Sequence, residues 1–101
     1  MNKIQIYEGN SVDIDVTINL DDLSGFVGTF YVKKFKADTT YAIEKTGTNG
    51  TGSTINFRLE ETDTDIQPGT YSYEVRIVNI VDSYTVSQGD FIILDSLALP
   101  I

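Results

Sequence analysis

The stretch Pro68-Gly69-Thr70-Tyr71-Ser72-Tyr73-Glu74-Val75-Arg76-Ile77 says most about how this chain folds. A Pro-Gly turn opens directly into an alternating strand, with Tyr71, Tyr73, Val75 and Ile77 on one face and Ser72, Glu74 and Arg76 on the other. A tyrosine as the first inward residue after such a turn is the signature of a tyrosine corner. There the ring lies in the core at the start of the strand and its hydroxyl returns to backbone a few residues upstream. For Tyr71 the expected acceptor lies between Thr64 and Gln67. Such a corner secures a crossover between two sheets and carries no chemistry of its own.

Working outward, the same period recurs. Ile4 and Ile6 alternate with Gln5 and Tyr7, and Glu8-Gly9-Asn10 supplies a turn. Val12, Ile14, Val16, Ile18 and Leu20 then alternate with Asp13, Asp15, Thr17 and Asn19. A one-residue slip of that strand buries Asp13 and Asp15 without partners, so its register is strongly specified. Asp21-Asp22-Leu23-Ser24-Gly25 reads as a connection with a short helical turn opened by Asp21 or Asp22. From Val27 to Phe35 the pattern is less regular, with Phe30 and Val32 on one face and Tyr31, Lys33 and Phe35 on the other. It fits a bulged strand or one covered on both faces at one end. Tyr41 to Lys45 is a short strand, and Thr46 to Ser53 is a turn-rich connector. Ile55, Phe57 and Leu59 mark another inward face, Glu60 to Gly69 crosses over, and Gly89 is expected to divide Tyr84-Thr85-Val86 from Phe91-Ile92-Ile93-Leu94 by a bend or bulge. About seven short strands separated by turns imply an all-β, immunoglobulin-like Greek-key β-sandwich. Val12, Ile14, Val16, Ile18, Phe57, Tyr71, Tyr73, Val75 and Ile77 are the expected core.

Length and composition bound the function. The 101 residues suit one domain, spanning 1–101, with room for one core but not for a separate catalytic unit. Hydrophobic residues make up 41%, including six Tyr and five Phe, so the acidity belongs to a folded surface rather than a disordered chain. Seven basic against fifteen acidic residues leave a net charge of −8, which repels phosphate backbones and anionic lipid, arguing against nucleic-acid and membrane partners. Lys33, Lys34 and Lys36 read as solvated charges that blunt a strand edge. With neither Cys nor His, the thiol nucleophile, the disulfide and the commonest general base and metal ligand are missing. The opening Met1-Asn2-Lys3-Ile4-Gln5-Ile6-Tyr7-Glu8 lacks the apolar run of a secretory signal, so synthesis in a bacterial cytoplasm is expected.

Candidate chemistry is sparse. Asp13, Asp15, Asp63 and Asp65 supply the oxygens that calcium prefers, but their spacing matches no calcium loop and exposed strand faces carry such residues anyway; no metal or cofactor is expected. Without His or Cys, glycoside hydrolysis is the least implausible enzyme class. Its paired carboxylates have only Glu44, Glu60, Glu61 and Glu74 as candidates, and no deep cleft is expected in a domain of this size, so the expectation is no catalysis. Tyr7, Tyr31, Tyr41 and Tyr84 offer either amphipathic protein contact or sugar stacking, with Tyr31 and Tyr41 the expected interface. The end, Asp95-Ser96-Leu97-Ala98-Leu99-Pro100-Ile101, is apolar and has no strand partner in a simple sandwich. Leu97, Leu99 and Ile101 are therefore expected either to close the domain's own open end or to contact a second subunit.

Taken together, Glu8-Gly9-Asn10 before Val12 to Val16, Asp22-Leu23-Ser24-Gly25, the Pro68 to Arg76 stretch and Tyr84-Thr85-Val86-Ser87-Gln88-Gly89-Asp90-Phe91-Ile92-Ile93 resemble the small immunoglobulin-like structural domains of tailed phages and prophages, found in tail, baseplate and head-fibre components. The resemblance implies a non-enzymatic structural or adaptor component of a virion or phage-like particle. It implies partners that are protein subunits, including other copies of the chain, and brings no catalytic positions. The alternative is a carbohydrate-binding or adhesion module of a bacterial surface system.

Overall fold

The computed structural model describes residues 2–18, 25–49 and 53–96. The chain is mostly strand, arranged as two sheets around one hydrophobic cluster. The wider sheet has the order β1-β8-β7-β3-β4, formed by Asn2–Tyr7, Ser83–Leu94, Gly69–Val78, Val27–Lys33 and Ile43–Thr46. The narrower has the order β2-β6-β5, formed by Val12–Thr17, Thr54–Leu59 and the two residues Thr48–Asn49. Neighbours are antiparallel except β1, which runs parallel to β8 with Ile4 opposite Phe91 and Ile6 opposite Ile93.

Period-2 sequence becomes period-2 burial. Ile55, Phe57 and Leu59 of β6 and Val75 and Ile77 of β7 are fully buried, and Tyr71 and Tyr73 nearly so. β3 pairs without interruption from Val27 to Lys33; Phe30 and Val32 are fully buried, and Phe35 lies past the strand end, two-thirds exposed. Its irregular sequence pattern therefore reflects where the strand stops rather than a bulge. The irregularity in the sheet is elsewhere: Ser87 pairs with Val75 and Thr85 with Arg76, leaving Val86 as the extra residue of β8. Gly89, expected to break this strand, pairs regularly with Tyr73, and β8 is continuous from Ser83 to Leu94. Val12, Ile14 and Val16 pack against the core without being fully buried, because among the described residues β2 is an edge strand of the narrow sheet.

Two glycines set the distance between sheets. Gly47, the residue separating β4 from β5, donates its N–H to the Gly28 carbonyl at 2.9 Å, so the chain passes from one sheet to the other in a single step. A Cβ at Gly47 would lie 2.5 Å from Ile55 Cγ2 and 2.6 Å from Phe57 Cε1; one at Gly28 would lie 2.9 Å from Ile55 Cδ1. The crossover from β6 to β7 holds a feature the sequence reading did not place there, the four-residue helix α1, Glu61–Thr64. The Asp63 carboxylate accepts from the Glu60 N–H at 2.7 Å and pairs with Lys45 at 2.9 Å. The buried Thr64 hydroxyl donates to the Asn10 carbonyl at 2.7 Å, tying the crossover to the β1–β2 turn. The helical turn expected at Asp21 or Asp22 lies outside the described residues.

At the end of this crossover the Tyr71 hydroxyl donates to the Gln67 carbonyl at 2.6 Å, within the upstream stretch where an acceptor is expected. Gly69 has φ +151°, and the Lys34 ammonium occupies the space a Cβ would need there. From that position Lys34 donates to the Thr70 carbonyl at 3.3 Å and lies 4.9 Å from the centre of the Tyr71 ring. Lys34 is thus part of the corner rather than a free edge charge.

Gly47→Ala should lower stability by about 1–3 kcal/mol through overpacking, and Gly28→Ala by less, since it meets the end of a flexible side chain. Thermal denaturation of the two variants checks the order. Tyr71→Phe should cost about 1–3 kcal/mol, because it leaves the Gln67 carbonyl without its donor; Tyr73→Phe should cost less, its hydroxyl having only a 3.3 Å contact with Ser87 Oγ. Burial raises the Tyr71 pKa above that of an ordinary tyrosine. The stability held by this group is therefore full below about pH 10 and lost as pH rises beyond it, where the unfolded tyrosine ionises first. Denaturant unfolding across that range should show a shallower alkaline loss in Tyr71→Phe than in the parent chain.

Candidate interaction surface

The outer face of the wide sheet is built by the residues that alternate with the core. On β3 these are Val27, Thr29, Tyr31 and Lys33, and β7 contributes Ser72, Glu74, Arg76 and Val78. Tyr31 sits in one row between Glu44 of β4 and Glu74 of β7. The connection from β3 to β4 brings Tyr41 onto Tyr31, with ring centres 4.6 Å apart and planes tilted by 39°. The Lys33 ammonium lies 4.9 Å from the centre of the Tyr41 ring. Tyr31 and Tyr41, singled out separately in the sequence, thus form one patch, and Lys33 is part of it rather than a dispersed edge charge. The patch continues into polar contacts. Glu74 accepts from Gln88 Nε2 at 3.1 Å and from the Thr85 hydroxyl at 3.3 Å, and Arg76 donates to the Ser83 hydroxyl.

A second surface was missed at sequence level. The β7–β8 hairpin turns through Asn79 to Asp82, and its tip projects Ile80 and Val81, 102% and 80% exposed. The turn is well determined by hydrogen bonds. The Asn79 N–H donates to the Asp82 carbonyl at 2.9 Å, and the Asn79 side-chain oxygen accepts from the backbone N–H groups of both Val81 and Asp82. Beside it, Val27 and Val78 pair across β3 and β7 and are each about half exposed. Tyr84, also exposed, lies 6.2 Å from Phe26, ring centre to ring centre. The available signal was two aliphatic residues at the centre of a turn between Asn79 and Asp82, where polar residues ordinarily stand. Burying such side chains against a partner removes apolar area from water at about 25 cal/mol per Å², and the pre-formed turn reduces the ordering cost.

The carboxylates are dispersed, and several are engaged. Asp13 pairs with Arg58 at 3.0 Å, and this charge raises the Arg58 pKa further above its ordinary value. Asp15 accepts from the Asn56 amide at 2.8 Å, and Asp63 caps α1. Among the described residues no three acidic groups converge as a metal site would require. Asp65 and Glu61, with Gly9 and Thr62, line an open depression of about 170 Å³. Glu44 and Glu74 lie on the outer face of the wide sheet, away from Glu60 and Glu61 at α1. No described helix is long and apolar enough to cross a membrane. Leu97, Leu99 and Ile101 lie outside the described residues.

Asn79→Ala should release the hairpin tip, lowering stability by about 1 kcal/mol and speeding amide exchange at Val81 and Asp82. Ile80→Ser should change stability by less than about 0.5 kcal/mol, since the side chain touches nothing that folding buries. Thermal denaturation with residue-resolved hydrogen exchange reads both. No family model matches the chain, and no curated protein matches it at a significant level.

Proposed function

We propose that the chain is an immunoglobulin-like β-sandwich that works as a non-enzymatic docking module, a structural or adaptor component of a phage or prophage particle acting through protein contacts. The immunoglobulin-like reading is supported by the division of strands, with β3, β7 and β8 in one sheet and β2, β5 and β6 in the other, and by the Tyr71 corner at the start of β7. The observation that carries the docking reading is the hydrogen-bonded hairpin that holds Ile80 and Val81 in solvent beside Val27 and Val78. The particle assignment rests on the sequence resemblance. The net charge of −8 argues for protein rather than nucleic acid or anionic lipid as the surface this module meets.

Carbohydrate binding is the second reading, carried by Tyr31 and Tyr41. Sugar stacking needs an open ring face, and here the two rings pack on each other while Lys33 lies over Tyr41, which favours a mixed aromatic and charged protein contact. The discriminating experiment is mass spectrometry of phage-like particles released from a culture carrying the gene, with the parent chain or with Ile80→Ser combined with Val81→Ser. Incorporation of the parent and loss of the double variant, at unchanged melting temperature, is the expected result. Absence of the parent chain from particles, together with a glycan ligand that depends on Tyr31 or Tyr41, would contradict it.

A further inference from the structure

We propose that the open edge of β2 accepts a strand from another protein, and that this strand is an extended segment in which aliphatic residues alternate with lysine or arginine. Among the described residues β2 pairs on one side only, with β6, from Val12 opposite Leu59 to Thr17 opposite Thr54. Every second residue of an edge strand directs its N–H and C=O away from the sheet, a ready template for a further strand. The side chains of β2 are unfinished in the same sense. Val12, Ile14 and Val16 are half-buried, whereas Ile55, Phe57 and Leu59 opposite them on β6 are fully buried. Among the described residues the narrow sheet has three strands against five in the sheet it covers, so one added strand extends the shorter layer.

Charge selects the occupant. The outward face of β2 presents Asp13 and Asp15; Arg58 on β6 pairs with Asp13, whereas Asp15 has the neutral Asn56 amide. A second copy of β2 is a poor partner. Of the antiparallel registers that keep the aliphatic residues of both copies on one face, the two with the greatest overlap set Asp13 against Asp15 or Asp15 against itself, and like charges directly opposite are destabilising. The same aspartates that guard the edge against self-pairing attract a strand with cations at alternate positions, whose aliphatic residues then extend the row of Val12, Ile14 and Val16. This site is separate from the hairpin tip and does not depend on the tip's role.

The test is titration of the full chain with a capped six-residue peptide alternating lysine and valine, followed by calorimetry and by backbone amide shifts. The comparison peptides are one alternating glutamate and valine, and one with the lysines kept and the valines replaced by proline. The expected result is binding of the lysine peptide about tenfold tighter than the glutamate peptide, through two cross-strand charge pairs with Asp13 and Asp15. Shifts should centre on residues 12–17, with new protection of β2 amides. Asp13→Lys combined with Asp15→Lys should reverse the preference, and Ile80→Ser combined with Val81→Ser should leave it unchanged. Equal binding of the proline peptide would reduce the effect to net charge and overturn the proposal. So would an absence of binding to the full chain, or binding that appears only after truncation following Ser96, which would assign the edge to the chain's own C-terminal residues.

Discussion

The ring of Phe30 is the contact on which the rest of the fold depends. It is fully buried and meets three other rings: Tyr73 of β7, stacked at 5.4 Å, Phe91 of β8, edge-on at 5.9 Å, and Phe57 of β6 in the opposite sheet, at 5.7 Å. Two of these contacts lie within the wide sheet and one crosses to the narrow sheet. Each aromatic pair is worth about 0.5–1.5 kcal/mol beyond its area, so their number and mutual geometry weigh more than any surface ion pair in this chain. Gly28 and Gly47 let Ile55 and Phe57 come close enough for the crossing contact to form. The corner at Tyr71 and the clamp of Thr64 on Asn10 then hold the two crossing segments in place around it.

A core centred in this way leaves the proposed contact surfaces at the periphery. Rings on the outer face of the wide sheet, aliphatic residues on the hairpin tip and the open edge of β2 are all carried by strands whose other faces are fixed by the same buried cluster. Little entropy remains to be lost when a partner docks on such a frame. Asp13, Asp15 and Asp63 are shared among Arg58, Asn56, Lys45 and the start of α1 rather than gathered into one place.

Much of this was legible in the sequence, for physical reasons that also explain what was not. Period 2 reports which face a residue takes, so β2, β6 and β7 could be read directly, and the Pro-Gly turn before Tyr71 located the hydrogen bond to within a few residues. Period says nothing about depth. Val12, Ile14 and Val16 read as core although their strand is an edge, and Phe30 gave no sign of being the hub. In β8 the residues on the core side of the sheet change from even, the exposed Tyr84 opposite Ile77 and Val86 packed on the core, to odd, Phe91 and Ile93. That change of parity required an extra residue, but Gly89 attracted the assignment, whereas the pairing puts the bulge at Val86. Helix α1 is too short to show a period, and its cap is the Asp63 carboxylate at Glu60, less conspicuous than a Ser or Thr cap. The meeting of Tyr31 with Tyr41, and of Lys33 and Lys34 with tyrosine rings, depends on loop paths that no local pattern encodes.

Residue-resolved hydrogen exchange on the isolated chain tests most directly whether one aromatic cluster carries both sheets and leaves the β2 edge open. The amides of Phe30, Phe57, Tyr73 and Phe91 should exchange together, at the rate set by global unfolding, while protection along β2 alternates between residues bonded to β6 and residues facing solvent. Uniformly slow exchange from Val12 to Thr17, or a narrow sheet that opens independently of Phe30, would contradict this account.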